Sequence, residues 1–496
     1  MWHSLAKPLA WAIFTAAILL LATYGSKPAL AQTPDTSIPL TRDTITDVTQ
    51  IPFQGDLDGM IQRRQIRILV PYSKTFYFID RGTQRGLAYD LGRQFEDELN
   101  KKLKTKHVRV HAVFRPVARD QFIPMLLDGR GDIAIGNFTV TADRQKLVDF
   151  AATGRTNVSE IVVTAPGTQP LSSLDELAGR EVYIRKTSSY FESVQTLNEA
   201  LAKAGRPPVA IRLAPETLET EDILEMVNAG LVGATIVDSH LADFWRQIFT
   251  KIHLNRDAVL RSGGQTAVMI RPNSPLLKAE LNEFSARHPE GSKTRAVLLQ
   301  QYFKNTRWAK AAVSKQEMAK FEDTIKLFRE YGARYDLDPL IVMSQAYQES
   351  GLRQDAKSRV GAIGVMQLMP ETGAEMKVGD ITRIESNVHA GTKYMRLLMD
   401  RYFRNEPMDA LNKALFTFAA YNAGPGRVRS LRRETAKRGL DPNVWFNNVE
   451  LVTAQKIGRE TVQYVSNIYK YYLAYSIVAE EIANREASKS AIKKIQ

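Results

Sequence analysis

Short apolar runs set the texture of the first half of the chain. Ile66–Val70, Val108–Phe114, Asp132–Ile135, Glu160–Thr164, Glu181–Ile184, Ala234–Val237 and Ala267–Ile270 are brief stretches of this kind, and they predict strands. Between them, Asp90–Leu103, Leu174–Leu177 and Ser189–Lys203 read as helices. This alternation predicts an α/β domain with a mainly parallel sheet over residues 61–305. From about residue 316 the strand signal disappears. Leu411, Ala414, Leu415, Phe418 and Ala419 recur at helical spacing, and residues 319–480 read as an all-α domain. Residues 306–318 form a polar, basic connector, and 481–496 a basic tail, with Ser488–Gln496 expected to fray.

Residues 32–60, rich in Thr, Asp and Pro, read as a flexible lead. Ahead of them, Lys7 precedes an apolar run from Leu9 to Ala22, and Ala29-Leu30-Ala31 closes the segment. That order describes a secretory signal over residues 1–31, cleaved after Ala31. The run is short of the roughly 20 residues a membrane span needs, which leaves an uncleaved anchor as the lesser alternative.

Composition narrows the chemistry. The 496 residues include no Cys, which excludes disulfides, a thiol nucleophile, Cys-based metal sites and a lipid-bearing cysteine. Seven His are too few to favour a His-rich metal site, and no metal or cofactor is called for. The formal charge of +13 favours acidic partners. Export makes nucleic acid a poor one, leaving a carboxylate-bearing envelope polymer or peripheral association with a membrane surface.

Asp338-Pro339 suits a helix start and Gly351 its end. Val342, Ala346 and Glu349 then share one face, with Glu349 closing an apolar stripe at the negative end of the helix. Desolvation and the helix dipole both favour a protonated carboxyl, the state a general acid needs. By spacing alone, a solvent-facing Glu is the more frequent outcome. The residues that follow change this. Ser350-Gly351 precedes Ser358-Arg359-Val360-Gly361-Ala362 and Gly364-Val365-Met366-Gln367-Leu368-Met369-Pro370. Ala420-Tyr421-Asn422-Ala423-Gly424 and Glu460-Thr461-Val462-Gln463-Tyr464-Val465 come later. These four blocks, in order, resemble the lytic transglycosylase domain of the soluble-lytic, goose-lysozyme-like type. The departures are Val365 where Leu is usual and Arg359 where Pro is common.

The resemblance implies an all-α lysozyme-like fold with Glu349 as the single catalytic acid/base, cleaving the MurNAc–GlcNAc bond of peptidoglycan glycan strands without water. A 1,6-anhydro-MurNAc end results. It implies substrate contacts at Ser358, Gln367, Met369, Tyr421 and Glu460, with Ser358 bonding an N-acetyl group and Tyr421 orienting the acetamido group or the catalytic carboxyl. Asn422, ahead of Gly424-Pro425-Gly426, reads as a loop holder. Met366 reads as core filler or groove wall. Tyr464 and its aromatic neighbours read as core and groove wall rather than contacts. Asp355, Glu371 and Glu375 are the nearby carboxylates that a hydrolysing muramidase or chitinase would need; a solvated role is the commoner one.

In the first half, Gly86-Leu87-Ala88-Tyr89-Asp90-Leu91 and above all Gly131-Asp132-Ile133-Ala134-Ile135-Gly136-Asn137-Phe138-Thr139-Val140-Thr141-Ala142-Asp143-Arg144 resemble the polar-amino-acid family of periplasmic solute-binding proteins. That implies a non-catalytic, two-lobed α/β fold closing on an amino acid or a muropeptide. Arg144 would grip a carboxylate, with Asn137 and Thr139 beside it, Thr187 and Ser188 in the second lobe, and Asp238 facing an ammonium. Residues 1–31 and the two resemblances together place the chain in the periplasm, peripheral on the outer membrane. A wall-anchored solute sensor is the non-enzymatic alternative.

Overall fold

The computed structural model describes residues 51–495, apart from 81, 153, 290 and 305–314. The signal segment, most of the lead and much of the connector lie outside the described residues. The chain divides into two compact units, one holding 48–105, 109–318 and 476–496, the other holding 319–475.

The first unit is α/β with two main sheets. The larger runs in the order His111–Pro116, Gln65–Val70, Ile133–Thr139, Thr266–Ile270, Asp149–Ala151. Gln65–Val70 pairs in parallel with His111–Pro116 and with Ile133–Thr139, as the alternating pattern predicts. Thr266–Ile270 is antiparallel to both its neighbours. The second sheet, Ala234–Asp238, Val158–Thr164, His253–Gly264, is antiparallel throughout, and a parallel pair Glu181–Arg185 and Ala210–Ala214 accompanies it. The expected mainly parallel sheet is therefore corrected to a mixed one. The chain leaves the first sheet after Asp149–Ala151 and returns at Thr266–Ile270, and those return strands bring the antiparallel pairing. Apolar alternation does not encode that direction.

The first lobe's core packs Ile66, Ile68, Phe95, Phe114 and Ile133. Asp132, fully buried ahead of its strand, takes Arg67 at 2.9 Å and Arg271 at 3.1 Å. Burial alone would push its carboxyl up, but the Arg67 bond and the Arg67 and Arg63 charges more than reverse this. The second lobe buries Val162, Val182, Ile184, Val194 and Ile236.

Two expectations at the ends of this unit are corrected. Residues 51–60 are not a loose lead. Asp56 caps the Leu57–Gln62 helix and accepts from Leu276 and Leu277 backbone N–H groups at 2.8 and 3.0 Å. The tail does not fray at Ser488, because the last helix spans Arg459–Ile495. Arg485 and Lys489 pair with the buried Asp222, Lys489 at 2.9 Å. Burying that aspartate demands charged partners, and an arginine and a lysine that look solvated in sequence supply them.

The second unit is helical, with no strand among its described residues. Pro339–Ser350, Ile384–Tyr402, Ala410–Ala423 and the start of Arg459–Ile495 supply its core. Val342, Ala346, Leu415, Phe416 and Ala419 are fully buried, and Trp445 closes edge-on to Phe416 at 5.6 Å.

Candidate active site and solute cleft

The Pro339–Ser350 helix forms as its ends dictate. Asp338 accepts the Leu340 N–H at 2.8 Å, and Gly351 adopts φ 64°, ψ 34° while its N–H returns to Tyr347 O. Glu349 is half-buried one residue before that end. The Tyr464 hydroxyl donates to Glu349 Oε1 at 2.5 Å. Burial, then the Glu349 charge, hold the Tyr464 hydroxyl well above its usual range, so it stays a donor. Tyr464 is the partner that sequence reading assigned to the wall. Its signal was available in Glu460-Thr461-Val462-Gln463-Tyr464, where Tyr464 lies one turn from the motif's glutamate.

Facing loop 351–369 is pinned from behind. Ser350 Oγ donates to Val365 O at 2.8 Å. Asn387, completely buried, accepts the Met366 N–H at 2.8 Å and donates to Ile363 O at 3.0 Å and Ile381 O at 2.9 Å. Gly364 sits at φ +78°, and a Cβ there would come within 2.5 Å of the Asn387 amide, so no other residue fits. Asn387 lies outside the four motif blocks and was missed.

The five expected substrate contacts divide. Ser358 Oγ accepts the Ala362 N–H at 2.9 Å, which shapes the turn. Gln367, at φ 47°, spends its amide on Ala356 O and Gly364 O. Met369 is half-buried and precedes the Pro370–Met376 helix. Tyr421 donates to Met366 O at 2.9 Å, and burial, then the Glu349 charge, raise its hydroxyl well above the usual range. Glu460 is exposed in the first turn of the last helix. Asn422 accepts from Thr461 Oγ1 at 2.8 Å, tying two helix ends as a loop holder would. Met366 is fully buried, against Gly391. Asp355, Glu371 and Glu375 are all exposed.

In the first unit, all six expected solute residues converge. Asn137, Thr139, Arg144, Thr187, Ser188 and Asp238 line one cavity of about 260 Å³ between the lobes. Arg144 is held by Thr139 O and Thr187 O, both at 2.8 Å. Asn137 Nδ2 donates to Asp238 Oδ2 at 2.6 Å. Burial, reinforced by the Glu160 charge, pushes the Asp238 carboxyl up to about 7. Arg119, which carried no sequence signal, crosses the cleft to Glu219 with two contacts of 2.7 Å. The arrangement offers a guanidinium and a carboxyl in one desolvated space, the chemistry that matches a zwitterion. No described helix is long and apolar enough to cross a membrane.

Comparison with known proteins agrees with this two-part reading. Residues 66–305 match the bacterial extracellular solute-binding proteins, family 3, and residues 326–443 match the transglycosylase SLT domain. A membrane-bound lytic murein transglycosylase F of Desulfosudis oleivorans is 26% identical over 433 residues, 83% of this chain and 90% of that protein. One of Erwinia tasmaniensis is 26% identical over 460 residues, 88% of this chain and 89% of that protein. Among solved structures, an ancestral arginine-binding protein bound to arginine is similar over 48% of this chain and 98% of its own, at 21% identity and TM-score 0.39.

Proposed function

We propose that this chain, a lytic murein transglycosylase in which a solute-binding domain precedes the catalytic domain, performs its reaction through Glu349 as the sole acid/base. The enzyme is a lyase acting on peptidoglycan in cell-wall turnover. It cleaves between N-acetylmuramic acid and N-acetylglucosamine and leaves a 1,6-anhydro end. In the first step Glu349 gives its proton to the glycosidic oxygen as the bond to muramyl C1 breaks. In the second, the carboxylate takes the proton of the muramyl C6 hydroxyl while that oxygen bonds C1. The proton returns to Glu349, and no water enters.

The observation that carries this reading is the Tyr464 hydroxyl on Glu349 Oε1, beside a loop fixed by Asn387. A donor on one oxygen orients the carboxyl. The exposure of Asp355, Glu371 and Glu375 favours the one-carboxylate route over a hydrolytic pair. Glu349→Gln tests it. Cleavage of purified sacculi should fall by at least about a hundredfold, with folding retained and anhydro ends lost from the mass spectrum. Activity within tenfold of the parent would sink the assignment.

The cleft of the first domain takes, in this reading, an amino acid or a muropeptide end bearing free amine and carboxylate. Arg144 holds the carboxylate and Asp238 the ammonium. Its occupancy regulates the rate at Glu349, a device a solute-binding domain ahead of a complete enzyme is built to supply. The test is sacculus cleavage with and without saturating stem peptide, repeated on Arg144→Ala; equal rates in all four conditions would end it. The signal-like start and the membrane-bound relatives support a periplasmic enzyme peripheral on the outer membrane. Fractionation of the native host would check this.

A further inference from the structure

The first domain contains a second cavity, of about 160 Å³, that the solute reading does not use. Its wall is mainly apolar, with Ile68, Leu91, Phe95, Ile133, Leu281 and Phe284 among its lining residues. Polar side chains, among them Gln94, Asn137, Arg155, Thr266 and His288, complete the lining. His240, on the Ser239–Arg246 helix, lines the cavity, and its Nδ1 is buried with no hydrogen-bond partner among the described residues.

The tautomer follows from the neighbours. Asn137 Nδ2 donates to Asp238, so Asn137 Oδ1 is the face turned to His240, at 3.2 Å from Nε2. That oxygen can only accept, so Nε2 carries the hydrogen and Nδ1 is a bare acceptor. Burial, with the Arg155 charge added, lowers the imidazole to about 3, so it is neutral at physiological pH. Phe303 packs against the ring at 6.1 Å between centroids. A buried acceptor left unmatched is costly.

We propose that this cavity is a second ligand site, for a small aromatic molecule carrying one N–H or O–H donor. Volume sets the size: a dry apolar cavity of roughly 150 Å³ accommodates benzene. The aromatic and aliphatic share of the wall sets the class, and His240 Nδ1, the lining acceptor without a partner among the described residues, sets the donor. Asn137 lines both this cavity and the Arg144–Asp238 cleft, so the two sites share one side chain but take ligands of opposite polarity.

The experiment is calorimetry on the full chain with phenol and with toluene, which have nearly the same shape and differ in the donor. Phenol should bind one per chain, and toluene about tenfold more weakly, the value of a matched buried acceptor. Val268→Phe fills the cavity from the sheet and does not line the cleft; it should abolish both. Leu91→Phe fills it from the helix side and should do the same, so one misfolded variant does not decide the matter. His240→Leu should leave phenol and toluene equal. No phenol binding to the parent, no discrimination between the two probes, or binding that survives both filled variants would overturn the proposal.

Discussion

Replacing Tyr464 with Phe removes one hydroxyl and leaves the ring in place. The ring is 6% exposed, so packing is retained and the loss is confined to the 2.5 Å bond to Glu349 Oε1. A hydrogen bond to a charged group contributes about 1.5–3 kcal/mol. At about 1.4 kcal/mol per pH unit, its removal penalises the ionised carboxylate by about 1–2 pH units. The sign follows from the bond: Tyr464 donates to Oε1, and a donor stabilises the carboxylate over the acid. The general acid must begin each cycle protonated, so activity falls as pH rises through its titration. In Tyr464→Phe that falling limb moves to higher pH by about 1–2 units. At the plateau kcat also falls, by about tenfold, because the carboxyl loses its orientation, while KM holds. The assay is the initial rate of sacculus solubilisation from pH 4 to 9, with anhydro ends counted. A limb that stays within 0.3 unit of the parent, roughly the error of such profiles, would refute the role of the hydroxyl.

Asn387→Ala leaves the buried Met366 N–H without its partner and takes one bond each from Ile363 O and Ile381 O, and about 2 kcal/mol of stability in the helical domain should be lost, read from urea unfolding. Asp238, whose carboxyl is raised to about 7, contributes stability that is complete below pH 4 and lost as pH rises through 7. The ligand-free chain should therefore unfold at a higher temperature at pH 5 than at pH 8, and Asp238→Asn should flatten that difference; an unchanged slope would contradict it. Affinity for an amine-bearing ligand should rise over the same range, because the ammonium needs the ionised carboxylate. Arg144→Ala should weaken an amino acid or stem peptide by at least about tenfold in calorimetry, the loss of a charge-assisted contact.

Local chemistry was legible in the sequence. Asp338, Pro339 and Gly351 bound a helix because a cap, a ring and an αL residue act within one turn, and the helix runs where they put it. Seven apolar runs became strands because short, β-branched-rich stretches fit a buried sheet. Sequence motifs also singled out Glu349 and all six residues that meet in the solute cleft. Other features depend on which elements meet, and no local signal carries that. Strand direction in the first domain was misjudged, because alternation reports burial and not the path of the return strands. The lead at 51–60 and the tail at 481–495 look polar and loose, and become fixed only because Leu276, Leu277 and Asp222 stand opposite them. Tyr464 reaches Glu349 from 115 residues away, and a tyrosine among many aromatics is indistinguishable from core until its hydroxyl finds a carboxylate. Periodicity decided which side chains are buried; only the tertiary structure decided which buried polar group faces which, because hydrogen bonds and desolvation act between neighbours in space.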